Sequence, residues 1–470
     1  MKVIQALARY FPDKCGGIQV NLTELLPELR SLLALAEPTH DIDIQIAAAS
    51  NGSQKEETYK YNDVEVYRYP VFPAPKTEPN HGQFPHGKFE YFANWLTNQK
   101  ADIYHQHHWE VYCGLPHLRL AKELGMATVL TVHYAVPVCQ RITLMFNGQK
   151  VCDGKIDVVR CSQCADTLSK KLPAAMVNSL SHLPLDLLSR LPMPVSAYLP
   201  ASVDDGNLGR FVRPFVVPGY VAARKESLLK MAKYADRIVI VCDWLYKALL
   251  INGIPEEKLI LSRHGISYTA QGKLPQTKHQ SDPLKVVFLG RWDIYKGIEI
   301  LVQAVKDLPQ QVKIELTIYG ITQDERYRQK IFNLIANDPR IRVNKQLPRE
   351  ELLQTLASYD LLAVPSQCLE TGPLVVLEAH SLSVPVIGSN LGGIAELVRH
   401  GIDGWLVTAN DTKAWTQALE RLATDTNLLW KLRQGIKPVR TVNMQAADLA
   451  TIYKNLQLKK AEGRGQKAEG

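Results

Sequence analysis

The residues with the clearest chemical potential lie in one short segment, ETGPLVVLE, whose two carboxylates, Glu370 and Glu378, stand eight positions apart. Glu370 is predicted in the loop after an apolar strand, and Glu378 on the following helix. Gly372 and Pro373 favour a helix start, because Gly adopts cap conformations and Pro suits the first helical position. The amides and dipole of such a start bind anions. The segment therefore predicts a phosphate-binding site between two carboxylates that can accept hydrogen bonds from hydroxyl groups. Such a site suits a diphosphate that links two polyhydroxylated groups.

The elements that must position these groups follow an alternating pattern. Short apolar strands alternate with amphipathic helical patterns along most of the chain, which predicts parallel sheets of the doubly wound type. The polar stretch 267–283 breaks this alternation and is interpreted as a linker. We therefore expect two α/β domains, residues 1–275 and residues 276–440. The tail 459–470, which repeats KAEG, is expected to be flexible.

Residues 135–199 do not fit the alternation and are predicted to form an inserted subdomain of short helices interrupted by prolines. The insert contains Cys139, Cys152, Cys161 and Cys164, and the last two have the Cys-x2-Cys spacing that presents two thiolates to one tetrahedral Zn²⁺. The other spacings are irregular, so reduced or buried cysteines in a loop are the alternative. We favour one structural zinc ion, because this polar segment has little apolar surface with which to order itself.

Four motifs in the expected order resemble those of retaining GT-B glycosyltransferases of the group 1 family, glycosyltransferase family 4. ETGPLVVLE resembles the E-x7-E element of that family, and EAHSLSVPVIGSNLGGIAELVRHGIDGWLV resembles its continuation. FLGRWDIYKG resembles the G-R-x4-K-G element, and CGGIQVNLTELLPEL resembles the glycine-glycine loop near the N-terminus. The resemblance implies two Rossmann-like domains that face a central cleft. It also implies transfer of a hexosyl group from a nucleotide diphosphate sugar to an acceptor hydroxyl, with retention of configuration.

The resemblance also assigns roles to particular side chains. Glu370 and His133 would be catalytic residues that contact the donor sugar, and Glu378 would bind the ribose hydroxyls. Arg291 and Lys296 would neutralise the diphosphate leaving group, where negative charge develops in the transition state. These basic groups and the helix start would replace a metal ion, so the chemistry would need no cofactor.

Backbone segments have implied roles as well. Gly16 and Gly17 would let the backbone of the N-terminal domain approach the substrate closely. Gly372, Pro373 and Leu374 would bind the donor at the helix start. A helix over residues 441–458, starting near Asn443, would return to the N-terminal domain as it does in the fold that the chain resembles.

Composition narrows the classes of partner. The chain has 470 residues with 55 Lys and Arg against 47 Asp and Glu, a net charge of +8 that is too small to indicate nucleic acid. It suits phosphorylated substrates or an anionic membrane surface, and the apolar helices of the insert allow peripheral membrane contact. Eight cysteines are too few for a disulfide scaffold, and neither a secretion signal nor a spanning segment is predicted. We expect a cytoplasmic enzyme with a nucleotide sugar and an acceptor as partners; the sequence does not predict its oligomeric state.

Three alternatives stay open at this point. The HQHH run at residues 105–108 suits either a metal site or hydrogen bonding at a strand end, and hydrogen bonding is favoured. A nucleotide-sugar epimerase of the same fold would release an epimerised sugar without an acceptor. The third alternative is a non-catalytic glycan-binding protein that is stabilised by zinc. Such a protein would not bind any nucleotide diphosphate selectively.

Overall fold

The computed structural model describes most of the chain. The described residues are 1–13, 16–36, 41–73, 82–166, 168–183, 206–267, 282–320, 322 and 324–468, without the side chains of 206–212 and 463–468. Residues 268–281 of the predicted linker and residues 184–199 of the predicted insert lie outside this range.

Sixteen strands are present in the described part of the chain. They are β1 (Lys2–Leu7), β2 (Asp43–Asn51), β3 (Glu57–Tyr61), β4 (Val64–Val71), β5 (Ile103–Gln106), β6 (Ala127–Val132), β7 (Met145–Phe146), β8 (Lys150–Val151), β9 (Arg237–Ile240), β10 (Leu259–Leu261), β11 (Leu284–Leu289), β12 (Ile314–Tyr319), β13 (Ile341–Asn344), β14 (Leu361–Val364), β15 (Val386–Ser389) and β16 (Gly404–Val407).

Fifteen α-helices are present in the same residues. They are α1 (Gly17–Ala36), α2 (Phe89–Gln99), α3 (Leu115–Glu123), α4 (Val158–Ala165), α5 (Ala174–Leu180), α6 (Gly206–Tyr234), α7 (Asp243–Ile251), α8 (Ile298–Lys306), α9 (Glu325–Ile335), α10 (Arg349–Leu356), α11 (Leu374–Ser381), α12 (Gly392–Leu397), α13 (Thr412–Thr424), α14 (Thr426–Gly435) and α15 (Val442–Ala468). None of the helices in the described residues is long and apolar enough to cross a membrane.

The chain forms two compact units, each with its own sheet. Unit 1 comprises Met1–Arg263 and Val442–Gly470, and unit 2 comprises His264–Thr441. The sheet of unit 1 has the strand order β10-β9-β6-β5-β1-β2-β4-β3 and is parallel except for the β3–β4 hairpin. β1, β2, β5 and β6 are almost entirely buried, as expected of parallel strands that are covered on both faces.

The C-terminal helix α15 packs against α1 in unit 1. Leu449 and Tyr453 of α15 share a core with Leu22 and Leu29 of α1. α15 continues to Ala468, whereas the sequence predicts a flexible tail from residue 459. Most residues of this segment, such as Lys459, Lys460 and Ala461, favour helix and extend an existing one at low cost, although Gly463 and Gly465 also lie within it.

The described part of the predicted insert contains short helices and additional structure that the sequence does not predict. α4, a single 3₁₀ turn and α5 are the short helices, and β7 pairs with β8 in a separate two-stranded sheet. The 29-residue helix α6 follows and packs on α3, α4 and α5, although Pro214 and Pro218 lie within it.

The sheet of unit 2 is fully parallel and has the order β13-β12-β11-β14-β15-β16. Numbered within the unit, this is the 3-2-1-4-5-6 order of doubly wound nucleotide-binding folds. The order reverses between β11 and β14. In such sheets ligands bind at the carboxyl ends of the strands beside that reversal, because the loops after the two strands leave in opposite directions.

Candidate functional site

The reversal point of unit 2 brings two predicted site residues into contact. Lys296 lies in the loop after β11, and Glu370 lies in the loop after β14. The Nζ atom of Lys296 donates a hydrogen bond to Oε1 of Glu370 at 2.5 Å, and the Oγ atom of Ser366 donates to the same oxygen at 2.8 Å. Residues 74 positions apart therefore form one partly buried ion pair at the edge where this fold class binds ligands.

Gly297 is the residue that lets the lysine loop reach the glutamate loop. Its φ of +70° lies in the left-handed region, where it ends the short turn Ile294–Lys296. A Cβ atom at this position would lie 1.9 Å from the carbonyl oxygen of Pro365, so a side chain does not fit. The two loops thus touch backbone to backbone, which places Lys296 beside Glu370.

Gly297→Ala is therefore expected to destabilise unit 2 by more than about 1 kcal/mol, because it combines a left-handed alanine with a backbone clash. Urea unfolding measures the change. Gly401→Ala is the matched control, since Gly401 has a φ of +73° but a Cβ there would meet nothing within 4 Å. Equal losses of stability in the two variants would show that the contact with Pro365 contributes nothing.

The ion pair keeps both partners charged. Burial opposes ionisation of Glu370, but the Lys296 ammonium and the hydrogen bonds to the carboxylate hold its pKa below its ordinary value. Burial likewise opposes the charge on Lys296, but Glu370 holds the pKa of Lys296 above its ordinary value. Arg291 is exposed and lies close enough to affect both groups electrostatically. The site therefore combines two cations with one carboxylate at neutral pH.

The helix that begins after Glu370 starts one residue later than the sequence predicts, at Leu374 rather than Pro373. Gly372 has a φ of +114°, Pro373 is the N-cap in an extended conformation, and Leu374 begins α11. A second glycine loop supports this segment: the N–H of Gly393 donates to the carbonyl of Glu370 at 2.6 Å. A Cβ atom at Gly393 would lie 2.4 Å from the nitrogen of Gly372, so this support depends on glycine.

Glu378 is buried on α11 and ion-paired with Arg349, the first residue of α10. The sequence analysis missed Arg349. It had no local signal, because Arg349 is one basic residue among several near a helix start, and only the fold brings it to Glu378. The pair places a second carboxylate, with its charge balanced, on the helix that carries the predicted anion site.

The predicted residues of unit 1 lie at the carboxyl edge of its own sheet. Gly16 and Gly17 are exposed at the start of α1, after β1, and His133 follows β6. The N–H of Gly16 donates to Oε1 of Gln19 at 3.0 Å. His133 is buried and its Nε2 lies 3.1 Å from Nδ1 of His107, which follows β5.

The histidine run HQHH forms hydrogen bonds. His105 lies between the hydroxyls of Tyr453 and Thr131, at 2.5 and 2.7 Å, and burial lowers its pKa to about 3. Burial and the charge of Arg9 lower the pKa of His108 to about 3 as well. No three His, Cys, Asp or Glu side chains in the described residues are placed to hold a metal ion together. The structure thus agrees with the favoured interpretation of this run.

Unit 1 should lose stability in mild acid because these histidines are neutral when folded. Unfolded histidine has a pKa near 6.5, so below that pH the unfolded chain binds more protons than the folded chain. The free energy of unfolding should then fall by up to about 1.4 kcal/mol per pH unit for each such histidine. Urea unfolding at pH 7.5 and 5.5 measures this loss, and His108→Gln should reduce it. A pH-independent free energy of unfolding would contradict the assignment.

The four clustered cysteines line a common cavity but do not support the zinc prediction. Cys139, Cys152, Cys161 and Cys164 surround about 30 Å³ of empty space. The described residues contain no group of three or more His, Cys, Asp or Glu side chains that could hold a metal ion, and these four cysteines therefore do not form one. Burial raises the pKa of Cys161 to about 12 and raises the pKa values of Cys139 and Cys152. The alternative of reduced cysteines fits this arrangement, because all four are free and half-buried.

Comparison with known sequences supports the resemblance to group 1 glycosyltransferases. Residues 272–437 match the family described as "Glycosyl transferases group 1". The putative colanic acid biosynthesis glycosyltransferase WcaL of Escherichia coli (strain K12) is 29% identical over 205 residues, which are 42% of this chain and 50% of WcaL. The amylovoran biosynthesis glycosyltransferase AmsK of Erwinia amylovora is 30% identical over 190 residues, 38% of this chain and 45% of AmsK. The chain spans about half the length of these curated relatives.

Solved structures share the fold over nearly the whole chain. The sucrose-phosphate synthase of Thermosynechococcus elongatus has a TM-score of 0.61 at 17% identity, over 97% of this chain and 99% of that chain. Anabaena HepE, solved in complex with UDP and glucose, has a TM-score of 0.56 at 13% identity, over 99% of this chain and 100% of that chain. Together with the two parallel sheets, these likenesses establish the GT-B fold and confirm the fold class predicted from the sequence.

Proposed function

We propose that this chain is a glycosyltransferase that transfers a hexosyl group from a nucleotide diphosphate sugar to an acceptor hydroxyl, with retention of configuration. The observation that carries the proposal is the Lys296–Glu370 ion pair at the strand-order reversal of unit 2. Doubly wound sheets bind ligands at that position, and Glu370 precedes α11, which begins at Leu374. WcaL and AmsK, named as biosynthetic glycosyltransferases, support the same activity.

In this proposal the diphosphate binds between the cations and the helix start. The N-terminal amides of α11 bind phosphate oxygens, and Lys296 and Arg291 neutralise the charge that grows on the leaving group as the glycosidic bond breaks. Lys296 is already held in place by Glu370, so it needs little reorganisation during the reaction. Since the protein supplies these fixed positive charges, the proposed transfer requires no metal ion.

The two carboxylates bind the two polyhydroxylated ends of the donor. Glu370, on the loop, accepts hydrogen bonds from sugar hydroxyls, and Glu378, further along α11, accepts them from the ribose. Arg349 pairs with Glu378 and orients its carboxylate for that task. Gly372, Pro373 and Leu374 lie between the two carboxylates in the sequence. Their backbone lies along the diphosphate and binds it.

Unit 1 provides the acceptor side and the remaining sugar contacts in this proposal. His133 contacts the donor sugar, and the exposed Gly16–Gly17 backbone approaches the substrates.

Gly16→Ala tests the contribution of unit 1. Among the described residues, a Cβ atom at Gly16 would meet Oε1 of Gln19 at 3.8 Å and no closer atom, so these residues do not require glycine there. We expect an unchanged melting temperature but a loss of about ten-fold in kcat/KM, because the added methyl group occupies space that the substrate needs. Unchanged kinetics would remove Gly16 from the site.

Calorimetric titration with a panel of nucleoside diphosphates tests the proposed function. We expect one diphosphate to bind more tightly than the others and to raise the melting temperature. A donor consumed together with a sugar acceptor should give a product with the anomeric configuration of the donor. No selective nucleotide binding would favour a glycan-binding protein, and release of an epimerised sugar would favour an epimerase; either result would contradict the proposal.

A further inference from the structure

We infer that His107 is a positioning residue that fixes the tautomer of His133 through a hydrogen-bonded chain that begins on the C-terminal helix. The effect on catalysis rests on the proposed function, because His133 acts on a sugar only if the chain binds one. The tautomer itself is a property of unit 1 alone. The two parts can therefore be tested separately.

The chain of hydrogen bonds crosses three strands of unit 1. Gln5 of β1 donates from its side-chain nitrogen to the hydroxyl of Tyr453 on α15 at 3.0 Å. Its side-chain oxygen lies 2.7 Å from Nε2 of His107. Nδ1 of His107 lies 3.1 Å from Nε2 of His133, which follows β6. Tyr453 also contacts Nδ1 of His105, at 2.5 Å.

The direction of every hydrogen bond follows from the orientation of the Gln5 amide. Because its carbonyl oxygen faces His107, Nε2 of His107 must carry a proton. An uncharged imidazole holds one proton, so Nδ1 of His107 is an acceptor. The proton between the two rings therefore belongs to Nε2 of His133. In this tautomer Nδ1 of His133 carries no proton and can only accept a hydrogen bond.

The same reasoning fixes the other branch of the chain. The Tyr453 oxygen accepts from Gln5, so its hydroxyl proton points to Nδ1 of His105. His105 must then donate from Nε2 to the hydroxyl of Thr131, at 2.7 Å. One set of proton positions is therefore compatible with the five contacts of the two branches.

Burial makes this arrangement rigid. Gln5, His105, His107 and His133 are at most 7% exposed, and Tyr453 is fully buried. The cavity beside His107 and His133 has a volume of about 10 Å³, at the lower limit for one water molecule. Since solvent offers few competing partners, a change in one member should alter the protonation of the next.

The experiment is histidine nitrogen NMR on the full chain labelled with ¹⁵N-histidine. Long-range ¹H–¹⁵N correlations identify which nitrogen of each ring is protonated, and His133→Gln assigns the His133 signals. The wild-type spectrum should show His133 protonated at Nε2. His107→Phe removes the acceptor and should shift His133 toward a mixture of tautomers, whereas His107→Gln restores an acceptor and should return the wild-type pattern.

Two further variants protect the test against misfolding at position 107. Gln5→Glu places a carboxylate beside His107, which favours a doubly protonated His107 that donates from Nδ1, so the proton of His133 should move from Nε2 to Nδ1. Gln5→Leu removes the acceptor for His107 and should disturb both rings. A His133 tautomer that is the same in His107→Phe and Gln5→Leu as in the wild type would overturn the inference.

Kinetics separate the positioning role from the proposed function. If the chain turns over a nucleotide sugar, His107→Phe should lower kcat by about ten-fold or more, with recovery in His107→Gln. Equal kcat values in the wild type and His107→Phe would overturn the catalytic part. Absence of turnover in the wild type would contradict the proposed function, while the NMR result would still decide the tautomer.

Discussion

Glu370→Ala is expected to lower kcat/KM for sugar transfer by more than ten-fold, a loss of at least about 1.4 kcal/mol of transition-state stabilisation. The carboxylate has two tasks in the proposed site. It binds sugar hydroxyls, and it holds Lys296 in place through a 2.5 Å hydrogen bond. Removing it releases both the sugar and the cation that neutralises the leaving group, so the loss should appear mainly in kcat. Steady-state kinetics with the identified donor measure the effect.

Glu370→Gln and Glu325→Gln are the controls for this prediction. The glutamine at 370 preserves the side-chain volume, so a loss in that variant cannot arise from a cavity. Glu325 belongs to an exposed ion pair with Arg328 on α9, at 2.7 Å, and its neutralisation should leave kcat/KM unchanged. A folded Glu370→Ala variant that retains more than about a tenth of the wild-type kcat/KM would contradict the assigned role.

Lys296→Met is expected to weaken binding of the nucleoside diphosphate by about ten-fold or more while leaving binding of the bare nucleoside nearly unchanged. Methionine keeps much of the apolar stem of lysine, so the variant isolates the charge. Arg291→Ala should have the same selectivity but a smaller effect, because Arg291 is exposed and more screened by solvent.

Calorimetric titrations with the diphosphate and with the nucleoside test this selectivity. The difference between wild type and Lys296→Met should shrink as salt is added, since it arises from charge. Lys330→Met, which breaks an ion pair with Glu299, is the control for loss of one positive charge in unit 2. Parallel losses for diphosphate and nucleoside would place Lys296 outside the phosphate site.

The sequence predicts the fold class and the start of α11 because both depend on local patterns. Alternating apolar strands and helices predict doubly wound sheets, and Gly372 with Pro373 predicts where the helix begins. The β3–β4 hairpin could also have been predicted. Its two-residue loop, Asn62–Asp63, has both residues in the left-handed region, as a type I′ turn requires, and both flanking segments alternate in character.

Other features could not be read from local patterns. Helix α6 contains Pro214 and Pro218, which predict breaks in a helix. Neighbouring residues such as Val216 and Val217 are both buried, so the helix has no amphipathic pattern that would predict it. Helices packed against it stabilise it instead. The contact between Arg349 and Glu378 depends on the juxtaposition of α10 and α11, which no spacing in the sequence encodes.

The histidine chain shows the same limit at the site itself. The family resemblance marks His133, and the HQHH run marks its neighbours. The path from Tyr453 through Gln5 and His107, however, joins residues separated by hundreds of positions. Sequence spacing therefore identifies which side chains have the chemistry to bind a substrate or to transfer a proton. The sheet order decides which of them meet.

The most direct test of the central claim is a time course of ³¹P NMR spectra on the purified chain with a panel of nucleotide sugars and sugar acceptors. We predict that one nucleotide sugar is converted to its nucleoside diphosphate and a glycosylated acceptor, and that Glu370→Ala loses this conversion while remaining folded. Donors that stay intact across the panel, or a conversion rate that is the same in the wild type and Glu370→Ala, would contradict the claim.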